Sequence, residues 1–279
     1  PSPRAVDGVM RQPLLSLAHL TVLDADPVNL IQSAAEAGFD AVGLRIVPPL
    51  PTDIIVPVVG DLPLQRQIKT RIRDSGVGVF DVEAVWLMPH TDVAALLPAL
   101  DLAADLGARY VLTVGHDADW NRLRDNFGAL CDAANARGLR VMLEFIPYAE
   151  CGSLFEAHRL LVAASPISAG LLVDALHLSR SNGCPADLQS FDPGLFSYVH
   201  LCDAPETPPA ADGLRREARG GRLYPGEGEL PLKDFLAVFP LGTPIAIEAP
   251  CGAYSQLPPR ERAKKVMAAT RRLLSTIKV

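Results

Sequence analysis

The stretch Glu36-Ala37-Gly38-Phe39-Asp40-Ala41-Val42 ends a helical pattern on a glycine and runs at once into an apolar strand pattern. The same sentence is written three more times: Asp74-Ser75-Gly76-Val77-Gly78-Val79-Phe80, Asp105-Leu106-Gly107-Ala108-Arg109-Tyr110-Val111 and Ala136-Arg137-Gly138-Leu139-Arg140-Val141-Met142. The glycines are 38, 31 and 31 residues apart. A glycine just past the last helical turn takes the left-handed conformation without a Cβ clash. A β-branched run straight after it reads as a strand buried on both faces, as in a parallel sheet. A period in the thirties is the length of one strand–helix unit.

Worked outward from these junctions, strand patterns fall near Leu14–Leu20, Ala41–Val47, Val77–Leu87, Tyr110–Gly115, Val141–Ile146, Gly170–Leu176, Ser197–Cys202 and Pro244–Ala249. Helical patterns lie between them. Asp26-Pro27 is a helix start, an N-cap followed by proline at the first helical position. Leu64, Ile68 and Ile72 form one apolar face before Gly76, and Leu96, Leu97, Leu100 and Ala104 do the same before Gly107. A last helix is expected from about Pro259 to Ile277. Eight strands alternating with helices predict an α/β chain folded as one (β/α)8 TIM barrel over residues 1–279. The alternative, a doubly wound open sheet, carries a glycine-rich phosphate loop after its first strand. Here that position reads Leu20-Thr21-Val22-Leu23-Asp24-Ala25-Asp26, without a glycine. Two loop insertions break the rhythm, one at about 48–63 with five prolines and one at about 204–231 rich in proline and glycine. Both follow a strand, which places them at the C-terminal mouth of the barrel, where such proteins keep their chemistry.

Composition narrows the function. The chain is 49% hydrophobic with a formal net charge of −6, so it is a folded chain, and nucleic acid or an anionic membrane is not expected as partner. No apolar stretch reaches the ~20 residues of a membrane helix. The first twenty residues carry no export signal. The five cysteines are scattered, without zinc-finger or redox spacing, and read as reduced structural thiols of a cytoplasmic protein.

Charged residues sit where strands should end apolar. Glu144 closes Val141-Met142-Leu143, Asp174 closes Leu171-Leu172-Val173, His200 follows Tyr198-Val199, and Glu248 closes Ile245-Ala246-Ile247. Any one of these alone reads as a helix cap, an ion-pair partner or a satisfied core histidine. Unpaired, each would cost several kcal/mol. Together, on four consecutive strands, three carboxylates and an imidazole make a divalent-metal site. Mixed oxygen and nitrogen donors favour Mn²⁺ or Mg²⁺, with Co²⁺, Fe²⁺ and Zn²⁺ as alternatives.

On Leu143-Glu144-Phe145, Val173-Asp174-Ala175-Leu176-His177, Val199-His200-Leu201-Cys202-Asp203, Pro225-Gly226-Glu227-Gly228-Glu229 and Ile247-Glu248, the chain resembles the xylose isomerase-like barrels of the sugar phosphate isomerase/epimerase branch, to which the endonuclease IV group is related. The resemblance covers most of the chain. It implies that Glu144, Asp174, His200 and Glu248 hold one divalent ion, and that His177 and an arginine of the loop after strand seven contact substrate. Arg222 is the best match for that arginine, with Arg219 beside it. The implied chemistry is isomerisation or epimerisation of a sugar-like hydroxy-carbonyl compound. A proton moves next to a carbonyl through an enediolate whose charge the ion stabilises, with Glu144 and Glu248 exchanging the proton from opposite sides. A homo-oligomer, dimer or tetramer, is also implied.

The chain departs from the branch where ketose epimerases carry an Asn soon after the strand-five Glu and dehydroshikimate dehydratases a His. Here Phe145-Ile146-Pro147-Tyr148 follows, a less polar wall. The extra histidines of the endonuclease group are missing. Further candidates for substrate contact are Arg45 (for an anionic group, unless it pairs with an acid), Trp86 and His116. His19 is read as ending strand one. Asp203 is expected to orient a ligand or cap the next segment, and Glu217 to lie in a solvated charge run. Two other functions stay open: a metal-dependent lyase or dehydratase on a cyclic polyol or keto acid, which His177 or His116 would serve as acid, and a non-catalytic barrel that binds a ligand or partner.

Overall fold

A computed structural model of the chain describes residues 12–50 and 52–277. Residues 1–11 of the stretch read for an export signal, and Pro51 of the first insertion, lie outside the described residues. Eight strands close into a barrel in chain order: β1 (Leu15–Leu17), β2 (Ala41–Arg45), β3 (Gly78–Leu87), β4 (Tyr110–Gly115), β5 (Arg140–Glu144), β6 (Ala169–Asp174), β7 (Val199–Leu201) and β8 (Ile245–Ile247). Every neighbouring pair is parallel, and β8 returns to β1 through Ser16 opposite Ala246. The helices α1 (Pro27–Ala37), α2 (Leu62–Ser75), α3 (Val93–Asp105), α4 (Trp120–Asn135), α5 (Leu154–Ala164) and α6 (Ala175–Arg180) each follow one strand, from β1 to β6. Two more, α7 (Leu214–Gly220) and α8 (Leu232–Ala237), follow β7, and α9 (Pro259–Leu274) follows β8 and packs on α1 to close the outer ring. The single (β/α)8 barrel expected from the sequence is the fold. Among the described residues, no helix is long and apolar enough to cross a membrane.

The four junction glycines behave as expected. Gly38, Gly76, Gly107 and Gly138 have φ between +72° and +83°, the left-handed region in which a side chain would be strained. The helix starts are as regular: Asp26, Asp61, Asp92 and Asp119 each accept a backbone N–H of the turn that follows, satisfying one of its free donors.

Most strands stop short of the ranges expected from the sequence, β1, β2, β5, β6, β7 and β8 among them, and for the first and sixth the local cause is plain. The first run stops at Leu17 because the chain turns through a 3-10 segment, His19–Val22. The Thr21 hydroxyl donates to Ile247 O at 2.8 Å, and the His19 N–H donates to Glu83 Oε1 at 3.0 Å. The sixth run stops at Asp174, whose Oδ1 accepts the N–H groups of Leu176 and His177 and starts α6 there.

Alternation along the strands builds two cores. One face joins the helices in the larger core. The other fills the barrel with Ala41, Phe80, Ala84, Leu112, Val114, Met142, Leu172, Tyr198 and Ala246. Phe80, Tyr110 and Tyr198 form an aromatic cluster within it, with ring centres 5.1 Å apart. Two residues above Met142, Leu172, Tyr198 and Ala246 stand Glu144, Asp174, His200 and Glu248. The same alternation that makes the interior apolar below makes it charged above.

The buried His19 side chain ties this frame together. Its Nδ1 accepts the Arg45 N–H at 3.1 Å, and Nε2 donates to Ala25 O at 2.9 Å. Both bonds require the neutral ring, and burial holds its pKa down at about 4 against an ordinary 6.5. A depressed histidine pKa gives stability that is complete above pH 6.5 and lost as the pH falls toward 4, about 3 kcal/mol for a shift of this size. Urea unfolding at pH 7.5 and pH 4.5 is therefore expected to show a smaller acid loss in His19→Gln than in the wild-type protein. Equal losses would refute this role of the ring.

Candidate metal centre

Glu144, Asp174, His200 and Glu248 converge from β5, β6, β7 and the end of β8, each contributing a ligand atom within 4.8 Å of the others. His200 Nδ1 lies 3.5 Å from Glu144 Oε1, 3.6 Å from Glu248 Oε2 and 3.9 Å from Asp174 Oδ2. All four residues are buried. Such a cluster repels itself. Burial raises the Glu144 carboxyl to about pH 7. At His200 burial opposes the charge, but Glu248 and Glu144 outweigh it and push the imidazole well above its ordinary range.

Arg222 supplies the internal countercharge. It is the largest fully buried side chain, and it donates to Asp174 Oδ2 at 2.5 Å, to Glu248 O at 2.9 Å and to Ala218 O at 2.9 Å. Its Nη2 is 2.8 Å from Glu248 Oε2. At Glu248 burial acts upward, but Arg222 and His200 more than offset it and hold the carboxyl well below its ordinary range. His177 stands beside this pair, its Nε2 3.5 Å from Arg222 Nη2. Burial lowers its pKa to about 4, so the ring is neutral.

The residues fit a divalent ion. Glu144 Oε1 and both ring nitrogens of His200 are buried without a hydrogen-bond partner, a costly arrangement in a protein interior. Three carboxylates and one imidazole around one point are hard-to-borderline donors suited to such a cation.

The other sequence candidates divide. Arg45 ends β2 inside the barrel and lies 3.5 Å from Glu83 Oε2. Trp86 and His116, both half-buried, meet edge to face at 5.3 Å, and His116 Nδ1 accepts the Glu150 N–H. Tyr148, at the end of the apolar wall segment, meets His177 edge to face at 6.0 Å, and burial raises its phenol to about 12. Arg219 is separated from Arg222: it pairs with Asp53 of the first insertion at 2.7 Å.

One expectation is corrected, and of the two roles expected for Asp203 the structure shows one. Glu217 does not lie in a solvated charge run. Its side chain, 10% exposed, takes both hydrogen bonds of the buried Arg180 fork at 2.7 and 2.9 Å. Asp203 caps the following segment: its carboxylate accepts the N–H groups of Ala204, Gly226 and Leu230 and so folds the Pro225–Glu229 segment back on the strand. Gly228 is required there, since a Cβ would come 2.5 Å from both Asp203 Oδ1 and Ala204 O. Asp81 was not singled out from the sequence. It lies below the cluster on β3, accepts from the Tyr198 hydroxyl at 3.1 Å, and is raised to about 7 by burial and by Glu83. Gly43 makes room for both acids, because a Cβ at that position would collide with Glu83 Oε1 and Asp81 Oδ1.

Breaking a buried ion pair from one side leaves the other charge stranded, at about 3–5 kcal/mol. Arg222→Met is expected to lose that much stability in chelator-treated protein, measured by denaturant unfolding. Added Mn²⁺ is expected to restore more stability to the variant than it adds to wild type, because a cation then meets Asp174 and Glu248 again. Equal gains would contradict this account.

Comparison with known proteins agrees with this fold. A search of curated protein sequences finds no significant match. Solved structures match over nearly the whole chain at low identity. A structure of IolI protein with a bound zinc atom superposes with a TM-score of 0.78 at 17% identity, over 94% of this chain and 98% of that one. D-allulose 3-epimerase from Methylomonas sp. gives 0.67 at 16%, over 94% and 98%. The probable 3-DHS dehydratase AsbF of petrobactin synthesis from Bacillus anthracis gives 0.71 at 13%, over 94% and 99%. The model of the xylose isomerase-like TIM barrel family matches residues 31–273, and this chain belongs to that family.

Proposed function

We propose that this protein is a divalent-metal-dependent isomerase or epimerase of a small, sugar-like hydroxy-carbonyl compound. The observation that carries the reading is the convergence of Glu144, Asp174, His200 and Glu248, with orphaned donor atoms, at the C-terminal end of the barrel. Those four residues would hold the ion, Mn²⁺ or Mg²⁺ before Co²⁺, Fe²⁺ or Zn²⁺. When bound, it supplies a Lewis acid that eases loss of a proton next to a carbonyl. The epimerases among the structural neighbours support the choice of chemistry.

The chain's own residues do the rest in this reading. Glu144 and Glu248 stand on β5 and after β8, and their surroundings differ: Glu248 is paired with Arg222, Glu144 is not. One carboxylate takes the proton and the other returns it. Arg222 holds Asp174 and Glu248 in place. The lyase reading needs an acid beside a leaving hydroxyl. His177 is a poor one, since its ring is neutral and its Nε2 faces the Arg222 donor.

The test is metal content by plasma mass spectrometry on protein purified without chelators, beside Glu144→Gln and His200→Ala, followed by proton exchange of ketoses and ketoacids in heavy water. About one divalent ion per chain is expected, lost in both variants together with the exchange. Folded wild-type protein that takes up no ion from Mn²⁺ or Mg²⁺ would overturn the reading.

A further inference from the structure

Arg45 is a buried cation without adequate partners. The residue is 5% exposed, yet its Nε and Nη1 groups find no acceptor in the protein. Glu83 is its counterion, but it pairs by charge alone and takes none of the guanidinium's hydrogen bonds. Its Oε1 is taken by the His19 N–H at 3.0 Å, and its Oε2 lies 3.5 Å from Nη2 alone, too long for a hydrogen bond. Two buried guanidinium groups on the second half of the barrel are better served: Arg222 and Arg180 each meet a carboxylate at under 3 Å and carbonyl oxygens besides. An unsatisfied buried polar group is costly, and the cost is greater for a charge.

Its position gives this deficit a direction. Ala41, at the other end of β2, faces the barrel interior, so alternation puts Arg45 on that same face at the C-terminal end. Its charge is felt at Glu248, one of the four converging donors. Arg45 thus looks across the mouth toward the cluster from β2, on the far side from β5 and β6. Arg222 is spent on Asp174 and Glu248, and His19 on Ala25 and Arg45's own backbone. One guanidinium with two free nitrogens suits a monoanion with two oxygens. A phosphate would bring a second charge and a third oxygen to a wall that already holds Glu83 and Asp81.

We infer that Arg45 is the seat of a substrate carboxylate, which makes the substrate of the proposed reaction a hydroxy-carbonyl acid rather than a neutral sugar. This rests on the function proposed above and adds the charge at the end of the substrate remote from Glu144.

Three probes share a hydroxymethyl ketone and differ at the other end: dihydroxyacetone, hydroxypyruvate and dihydroxyacetone phosphate. Their dissociation constants are measured calorimetrically on the full chain with and without Mn²⁺. A carboxylate also chelates metal ions, so the evidence is the dependence on Arg45. Truncating one member of a buried charge pair costs 2–5 kcal/mol, so about thirty-fold or more of the hydroxypyruvate affinity should vanish in Arg45→Gln, with little change for dihydroxyacetone. Because Arg45→Gln strands Glu83, the double variant Arg45→Gln/Glu83→Gln is measured beside it, and Arg45→Lys is expected to keep part of the preference. A carboxylate preference that survives in the folded double variant overturns the inference. So does an Arg45-dependent preference for the phosphate, or the absence of binding by any probe. Failure of the metal reading registers separately, as absent Mn²⁺ uptake in wild type, and the carboxylate preference is then read from the metal-free titrations.

Discussion

Three carboxylates and an imidazole crowded into a buried space within 4.8 Å of one another set the constraint that the rest of the molecule answers. Like charges so close in a medium of low dielectric would drive the strand ends apart or force protons onto them. The protein answers with Arg222, and much of the second insertion serves to deliver it. Its guanidinium is steadied by Ala218 O at the end of α7. The helix is anchored by the Arg180–Glu217 fork and tied to the first insertion through Arg219 and Asp53. The Asp203 carboxylate gathers the chain that follows. A loop that would otherwise be free surface is thereby bound to the charge state of the barrel mouth.

The mouth is electrically two-sided. Strands β5 to β8 carry the converging donors, while β2 and β3 carry Arg45, Glu83 and Asp81 over an aromatic floor. On the first side each carboxylate has Arg222 or His200 close by. On the second, the ions are incompletely matched, and buried polar atoms stand without partners on Arg45, Glu83 and Asp81. Imperfect satisfaction in a well-packed interior is the mark of a place that meets something else. The barrel itself does not say what. Epimerases and a probable dehydratase share this fold, and it is side chains at strand ends that separate one chemistry from another.

Strand-end residues were legible because they are local. A carboxylate after an unbroken apolar run is conspicuous in one dimension, and period-two alternation says which face it takes. Glu144, Asp174, His200 and Glu248 needed only that rule and the barrel's closure to meet. Residues whose meaning depends on a distant partner were opaque. Glu217 looks like any exposed acid beside Arg215, Arg216 and Arg219 until Arg180, 37 residues away, is seen against it. Arg219 and Arg222 are three positions apart, and only the path of α7 sends one to Asp53 and the other to the carboxylates. Asp81 reads as a lone polar residue in a strand until Gly43 and Tyr198 show the space it occupies.

The amino-acid sequence by itself determined the alternation of strands and helices, because a glycine in the left-handed region and an aspartate cap act within a few residues. It also determined which residues line the barrel's charged end, because side-chain alternation is a property of the strand. Only the tertiary structure decided which charges are paired. Countercharge is a matter of distance in space, set by how two long loops cross the mouth, and no pattern along the chain encodes that Arg222 is spent while Arg45 keeps donors to spare.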